Sequence, residues 1–131
     1  MIEYRVDERI GLVVARFSGD VTYDDLIRWY EEIERDERFA NRYNGVTDMR
    51  RATMRLARGD MARISEYIAA HDLTFGRWAV LVEDAKVTAL SMIYGNHIDG
   101  VHEAEVVSSE EAASACLGID VKPLFEKFPP L

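Results

Sequence analysis

Ile2, Tyr4 and Val6 alternate with Glu3, Arg5 and Asp7. That period of two predicts a strand buried on one face, at the edge of a sheet. Asp7-Glu8-Arg9 is a polar turn, and Leu12-Val13-Val14-Ala15-Arg16-Phe17 predicts a second, more interior strand. The two are close enough to pair as an antiparallel hairpin. Ser18-Gly19-Asp20 breaks the apolar run. Thr22 stands three residues before Asp25, the spacing of an N-cap hydroxyl and a first-turn acid that satisfy free amides at a helix start. Tyr23, Leu26, Tyr30 and Ile33 form the apolar stripe of that first helix.

Residues 41–45 read as a turn, and Val46-Thr47-Asp48-Met49 as a short third strand that gives way to an arginine-rich loop. Met61, Ile64 and Ile68 have helical spacing, with Asp60 as a cap and an end near His71, placed to meet the last helical carbonyls. Trp78-Ala79-Val80-Leu81-Val82 is apolar on both faces, as a strand covered on two sides must be. Asp84 is placed to cap a third helix carrying Val87, Leu90, Ile93 and Tyr94, which stops around Gly95-Asn96. Residues 104–107 make a last strand, Ser108 and Glu111 the capping box of a fourth helix, and Gly118 its C-cap. The order is ββαβαβαβα. It predicts an α/β fold with a mostly parallel five-stranded sheet, right-handed crossovers and an antiparallel opening hairpin.

A chain of 131 residues suits one domain. No apolar run approaches the roughly 20 residues of a membrane span. The start Met1-Ile2-Glu3-Tyr4-Arg5 lacks a secretory layout, and the single Cys116 excludes an internal disulfide. Together these features point to the cytoplasm. A sequence pI near 4.9 argues against nucleic-acid binding, which needs a broad basic surface. One segment breaks the acidic balance. Arg50, Arg51, Arg55, Arg58 and Arg63 fall within residues 50–63, where Asp60 is the only acid, so this stretch carries +4 in a chain of net charge −8.

The element order resembles the STAS domain (sulphate transporter and anti-sigma-factor antagonist), and more narrowly the stand-alone SpoIIAA-like bacterial proteins. The likeness is carried by the strand ending in Asp48-Met49 before a loop and helix. It is carried also by the Trp78-to-Val82 strand running into Glu83-Asp84 and a helix with Ser91-Met92-Ile93-Tyr94, and by Glu110-Glu111-Ala112-Ala113 closing at Leu117-Gly118. It covers residues 1–119 and implies a βα superhelix that acts as a protein-interaction module. It also implies kinship of architecture with lipid carriers of the CRAL-TRIO type. Phospho-switched members present a serine at the start of the helix after the Asp-containing strand. Here Leu56, Ala57 and Arg58 stand at those positions, Thr53 and Ser65 lie elsewhere, and the switch does not carry over.

The candidate ligand- or partner-binding residues are Asp48, Arg50, Arg51, Thr53, Arg55 and Arg58, because guanidinium groups grip carboxylates and phosphates through paired hydrogen bonds. Asp20, Asp48, Glu83 and Asp84 are expected on the same rim, either to position a polar substrate or to serve as caps and surface ion pairs. No nucleophile elbow and no phosphate-cradling glycine loop occurs, so no catalytic residue and no cofactor is assigned. His97, Asp99, His102 and Glu103 offer metal-donor atoms without a zinc spacing; a solvated loop is the better reading, and no metal is assigned. The first expectation is a non-enzymatic module that binds an acidic partner protein through the arginine-rich loop. The alternative is a carrier or sensor of a small anionic or amphipathic, lipid-like ligand, in a cavity walled by Met61, Ile64, Leu90 and Ile93. Residues 120–131 form an apolar tail (Val121, Leu124, Phe125, Phe128, Leu131) that must pack on its own domain or on a second copy in a homodimer.

Overall fold

The computed structural model describes residues 1–83 and 103–127. Five strands form one sheet: β1 (Ile2–Asp7), β2 (Leu12–Thr22), β3 (Asn44–Arg55), β4 (Arg77–Leu81) and β5 (Glu103–Val107). They lie side by side in chain order, β1 antiparallel to β2 and every later pair parallel. The described helices are α1 (Tyr23–Arg35), α2 (Asp60–Ala70), α3 (Glu110–Leu117) and α4 (Lys122–Glu126). The expected α/β sheet with its opening hairpin is therefore present. The helix expected around Val87 to Tyr94, its cap Asp84, and Phe128 and Leu131 lie outside the described residues. Among the described residues no helix is long and apolar enough to cross a membrane.

A sheet that always grows in one direction through right-handed crossovers must carry its crossover helices on one face. Accordingly α1 and α2 share a core with that face, through Leu26, Trp29, Tyr30 and Ile33 from α1 and Met61, Ile64 and Ile68 from α2. The opposite face is left to the carboxyl-terminal helices. Leu12, Val14, Val46, Ala79, Leu81 and Val107 pack there against Ala113, Cys116, Val121, Leu124 and Phe125. Val121, Leu124 and Phe125 of the apolar tail thus pack on the sheet of their own chain. Pro123 is tolerated near the start of α4, where no helical amide partner is lost. With only eight residues in α3 and five in α4, these helices are short beside the 12 residues of β3.

Several local expectations need correction. Ser18-Gly19-Asp20 does not end β2, which continues to Thr22, because β3 runs alongside it as far as Arg55 and supplies its hydrogen bonds. β3 likewise continues well past Met49. The α2 cap is Gly59, with φ of 88°, and Asp60 is the first helical residue; its Oδ2 accepts from the Ala57 amide at 2.7 Å. Ser109, not Ser108, caps α3 by accepting from the Ala112 amide at 3.1 Å. Two adjacent hydroxyls made that choice ambiguous. The α1 capping box is as expected, with Thr22 N–H donating to Asp25 at 2.9 Å and Asp25 N–H to Thr22 Oγ1 at 3.3 Å. Gly118 ends α3 in the left-handed conformation, also as expected.

Aromatic rings dominate the α1 side. Trp29 meets Phe17 edge-on at 5.3 Å and Trp78 at 6.3 Å, and Phe75 meets Trp78 at 5.2 Å. Trp78 donates its indole proton to the buried Thr47 Oγ1 at 2.8 Å, which fixes the ring over its cross-strand neighbour Gly45. A Cβ at position 45 would lie only 2.4 Å from atoms of the Trp78 ring. Gly45→Ala should therefore destabilise the fold by about 1–3 kcal/mol, read as a lowered urea midpoint with unchanged slope.

Asp36, the C-cap of α1, accepts from Arg38 through two bonds of 3.0 and 2.8 Å and from the Tyr4 hydroxyl at 3.0 Å. Arg38 holds Asp36 well below the usual carboxylate range. Burial first, and then Asp36, push the Tyr4 phenol up from 10.0 to about 12. The unfolded chain gives up the Tyr4 proton first, so this contribution is complete below pH 10 and is lost as the pH rises toward 12. Tyr4→Phe should remove that share of the alkaline loss, measured by urea unfolding on either side of pH 10.

Candidate functional site

The β2–β3 ladder pairs Arg16 with Asp48 and resumes with Ser18 opposite Arg51. Two residues of β2 thus span the same step as three of β3, and β3 carries one surplus residue, a bulge rarely found in a parallel pair. Strict alternation from Met49 would send Arg51 into the α1–α2 core. The surplus residue lets Met49 and Ala52, three positions apart, both enter that core. Arg50 and Arg51 then both border one cleft beside α4.

The cleft has a volume of about 500 Å³. Its described walls are Arg16 and Phe17 of β2, Asp48, Arg50 and Arg51 of β3, Glu83 just past β4, and Phe125 of α4. Arg50 is firmly held. Its Nε and Nη2 donate to the two Asp48 carboxylate oxygens at 2.9 Å each, and its backbone N–H donates to Oδ1 at 3.1 Å. Glu110 at the start of α3 lies 3.7 Å from the same guanidinium, which stands 5.9 Å from the Phe125 ring centre. Arg16 reaches Glu3 at 3.8 Å. Arg51 is exposed and has no carboxylate partner among the described residues. The other two arginines of the cleft each have a carboxylate partner, Glu3 for Arg16 and Asp48 for Arg50.

The remaining predicted residues fall on a continuous strip. Thr53 and Arg55 are exposed on β3, and Arg55 Nε donates to Asp20 Oδ1 at 3.2 Å with both side chains more than 60% exposed. Arg58 alone of the predicted set lies in the loop before α2 and is exposed. The arginine-rich loop of the sequence reading is thus mostly strand, because Ala52 and Met54 pack toward the helices and β2 pairs with the whole segment. Arg63 stands apart, bonded to Asp60 at 3.3 Å and over the Tyr23 ring at 4.0 Å.

Of the expected acids, Asp48 and Glu83 share the cleft and Asp20 engages Arg55. Asp48 is buried and spends both oxygens on Arg50, so it orients a cation instead of accepting a substrate proton. Cys116 is buried in the second core. His71 meets the last carbonyls of α2 as expected, but through its backbone, whose N–H donates to the Tyr67 carbonyl at 3.0 Å, while its ring meets Glu34 of α1 at 2.9 Å and stacks on Tyr67 at 4.0 Å. Met61 and Ile64 are buried in the first core, while Leu90 and Ile93 lie outside the described residues. So do His97, Asp99 and His102, and among the described residues no group of three or more His, Cys, Asp or Glu could hold a metal ion.

Sequence reasoning missed Arg16 and Phe125 as members of the site. Arg16 was visible as the charge interrupting an apolar run; Phe125 arrives only through tertiary packing. No protein-family model matches the chain, and no curated protein matches it.

Arg50 and Arg51 should differ sharply in their effect on stability. Arg50→Ala leaves the buried Asp48 carboxylate unpaired and should cost about 1–2 kcal/mol. Arg51→Ala should change stability by less than about 0.5 kcal/mol. Thermal and urea unfolding of the two variants checks the contrast.

Proposed function

We propose that the protein is a non-enzymatic, STAS-like interaction module that binds an acidic partner protein through the arginine face of β3. The observation that carries this reading is the convergence of Arg16, Arg50 and Arg51 on one cleft, with Arg51 exposed and without a carboxylate of its own among the described residues. Asp48 pre-orients Arg50, so less freedom is lost when an anion arrives. The sheet order and the helices on its two faces agree with the STAS-like βα superhelix. No hydroxyl occupies residues 56–58, so the reading includes no phosphoserine switch.

A second reading, a carrier or sensor of a small anionic or amphipathic ligand, draws on the cleft volume and on Phe125. About 500 Å³, with Phe17 and Phe125 among its walls, is in the range of small-molecule sites. Native mass spectrometry of freshly purified protein separates the two readings, since a carrier retains a small molecule.

A fluorescent oligoglutamate peptide serves as probe for the first reading. Arg51→Glu should weaken its capture at least about tenfold, the equivalent of roughly 1.4 kcal/mol, while wild-type capture declines with added salt. Undiminished capture by Arg51→Glu would exclude the cleft as the site.

A further inference from the structure

We infer that the acidic partner presents its carboxylates from an extended segment laid along β3, and that Asp20 is a built-in competitor which the segment displaces. This inference rests on the partner-binding reading above and adds the geometry and regulation of the contact. Arg51, Thr53 and Arg55 are exposed at every second position of β3, beyond the last β3–β4 pair at Asp48 and Leu81. Strand geometry sets the Cα atoms of Arg51 and Arg55 about 13 Å apart. An extended chain with acids four residues apart matches that span, whereas acids four apart on a helix are separated by only about 6 Å along the axis.

The charge pattern defines what the strip lacks. Arg51 has no carboxylate among the described residues, so the inner end is open to one acid. The outer end is already occupied, since Asp20 sits 3.2 Å from Arg55 on the neighbouring strand. That pair is exposed on both sides, 63% and 66%, and exposed pairs contribute little to stability. A partner carboxylate can therefore replace Asp20 at little cost, and Asp20 both imitates the ligand and opposes it. Thr53, exposed between the two arginines, can offer its hydroxyl to the backbone of the bound segment.

Two labelled peptides of equal length and charge test this, one with two glutamates four residues apart and one with the two adjacent. Wild-type protein should bind the spaced peptide about fivefold more tightly. Asp20→Asn should tighten the spaced peptide a further threefold or so and leave the adjacent peptide almost unchanged. Arg55→Ala should abolish the preference. Equal binding of both peptides, or no gain from Asp20→Asn, overturns the extended register; loss on Arg51→Glu would then still uphold the partner-binding reading. Failure of wild-type protein to bind either peptide overturns both.

Discussion

Side chains alternate along a strand, so one surplus residue reverses the direction of all that follow. In β3 that residue lies between Asp48 and Arg51, and the chemistry of the site depends on it. Without it, either Ala52 and Met54 would leave the helical core or Arg51 would be forced into it. With it, two consecutive arginines share a cleft while apolar burial continues beyond them. Bulges commonly re-aim side chains near functional sites, and here the effect is to concentrate positive charge on an acidic protein.

Topology supplies the second condition. α1 and α2 pack on one face of the sheet and α3 and α4 on the other, where Arg50 and Arg51 border the cleft beside Phe125 of α4. The first core is correspondingly well braced, with Trp78 tied to Thr47 and stacked edgewise against Trp29 and Phe75. The site stands on a rigid support, and its most exposed cation is the part with fewest structural duties.

Features decided by neighbouring residues were legible in the sequence. The Thr22–Asp25 box, the Gly118 terminus and the apolar stripe of α1 each depend on contacts within one or two turns. The true ends of β2 and β3 were not legible, since each strand is prolonged only because the other runs beside it. Gly19 read as a stop signal, yet its φ of 66° is accommodated inside the ladder. The arginine cluster was visible as a local excess of charge, but its division was not. Arg63 bonds Asp60 of α2, Arg50 is held by Asp48 and Arg55 meets Asp20, while Arg51 and Arg58 have no carboxylate partner among the described residues.

Phe125 belongs at once to the second core and to the wall of the cleft. The docking of α4 and the filling of the cleft are therefore thermodynamically linked, each favouring the other by the same free energy. An event that lifts α4, such as proteolytic nicking beside it, would remove the Phe125 wall of the cleft without touching an arginine. Conversely, an occupant that leans on the aromatic ring acts as a clasp on the end of the chain.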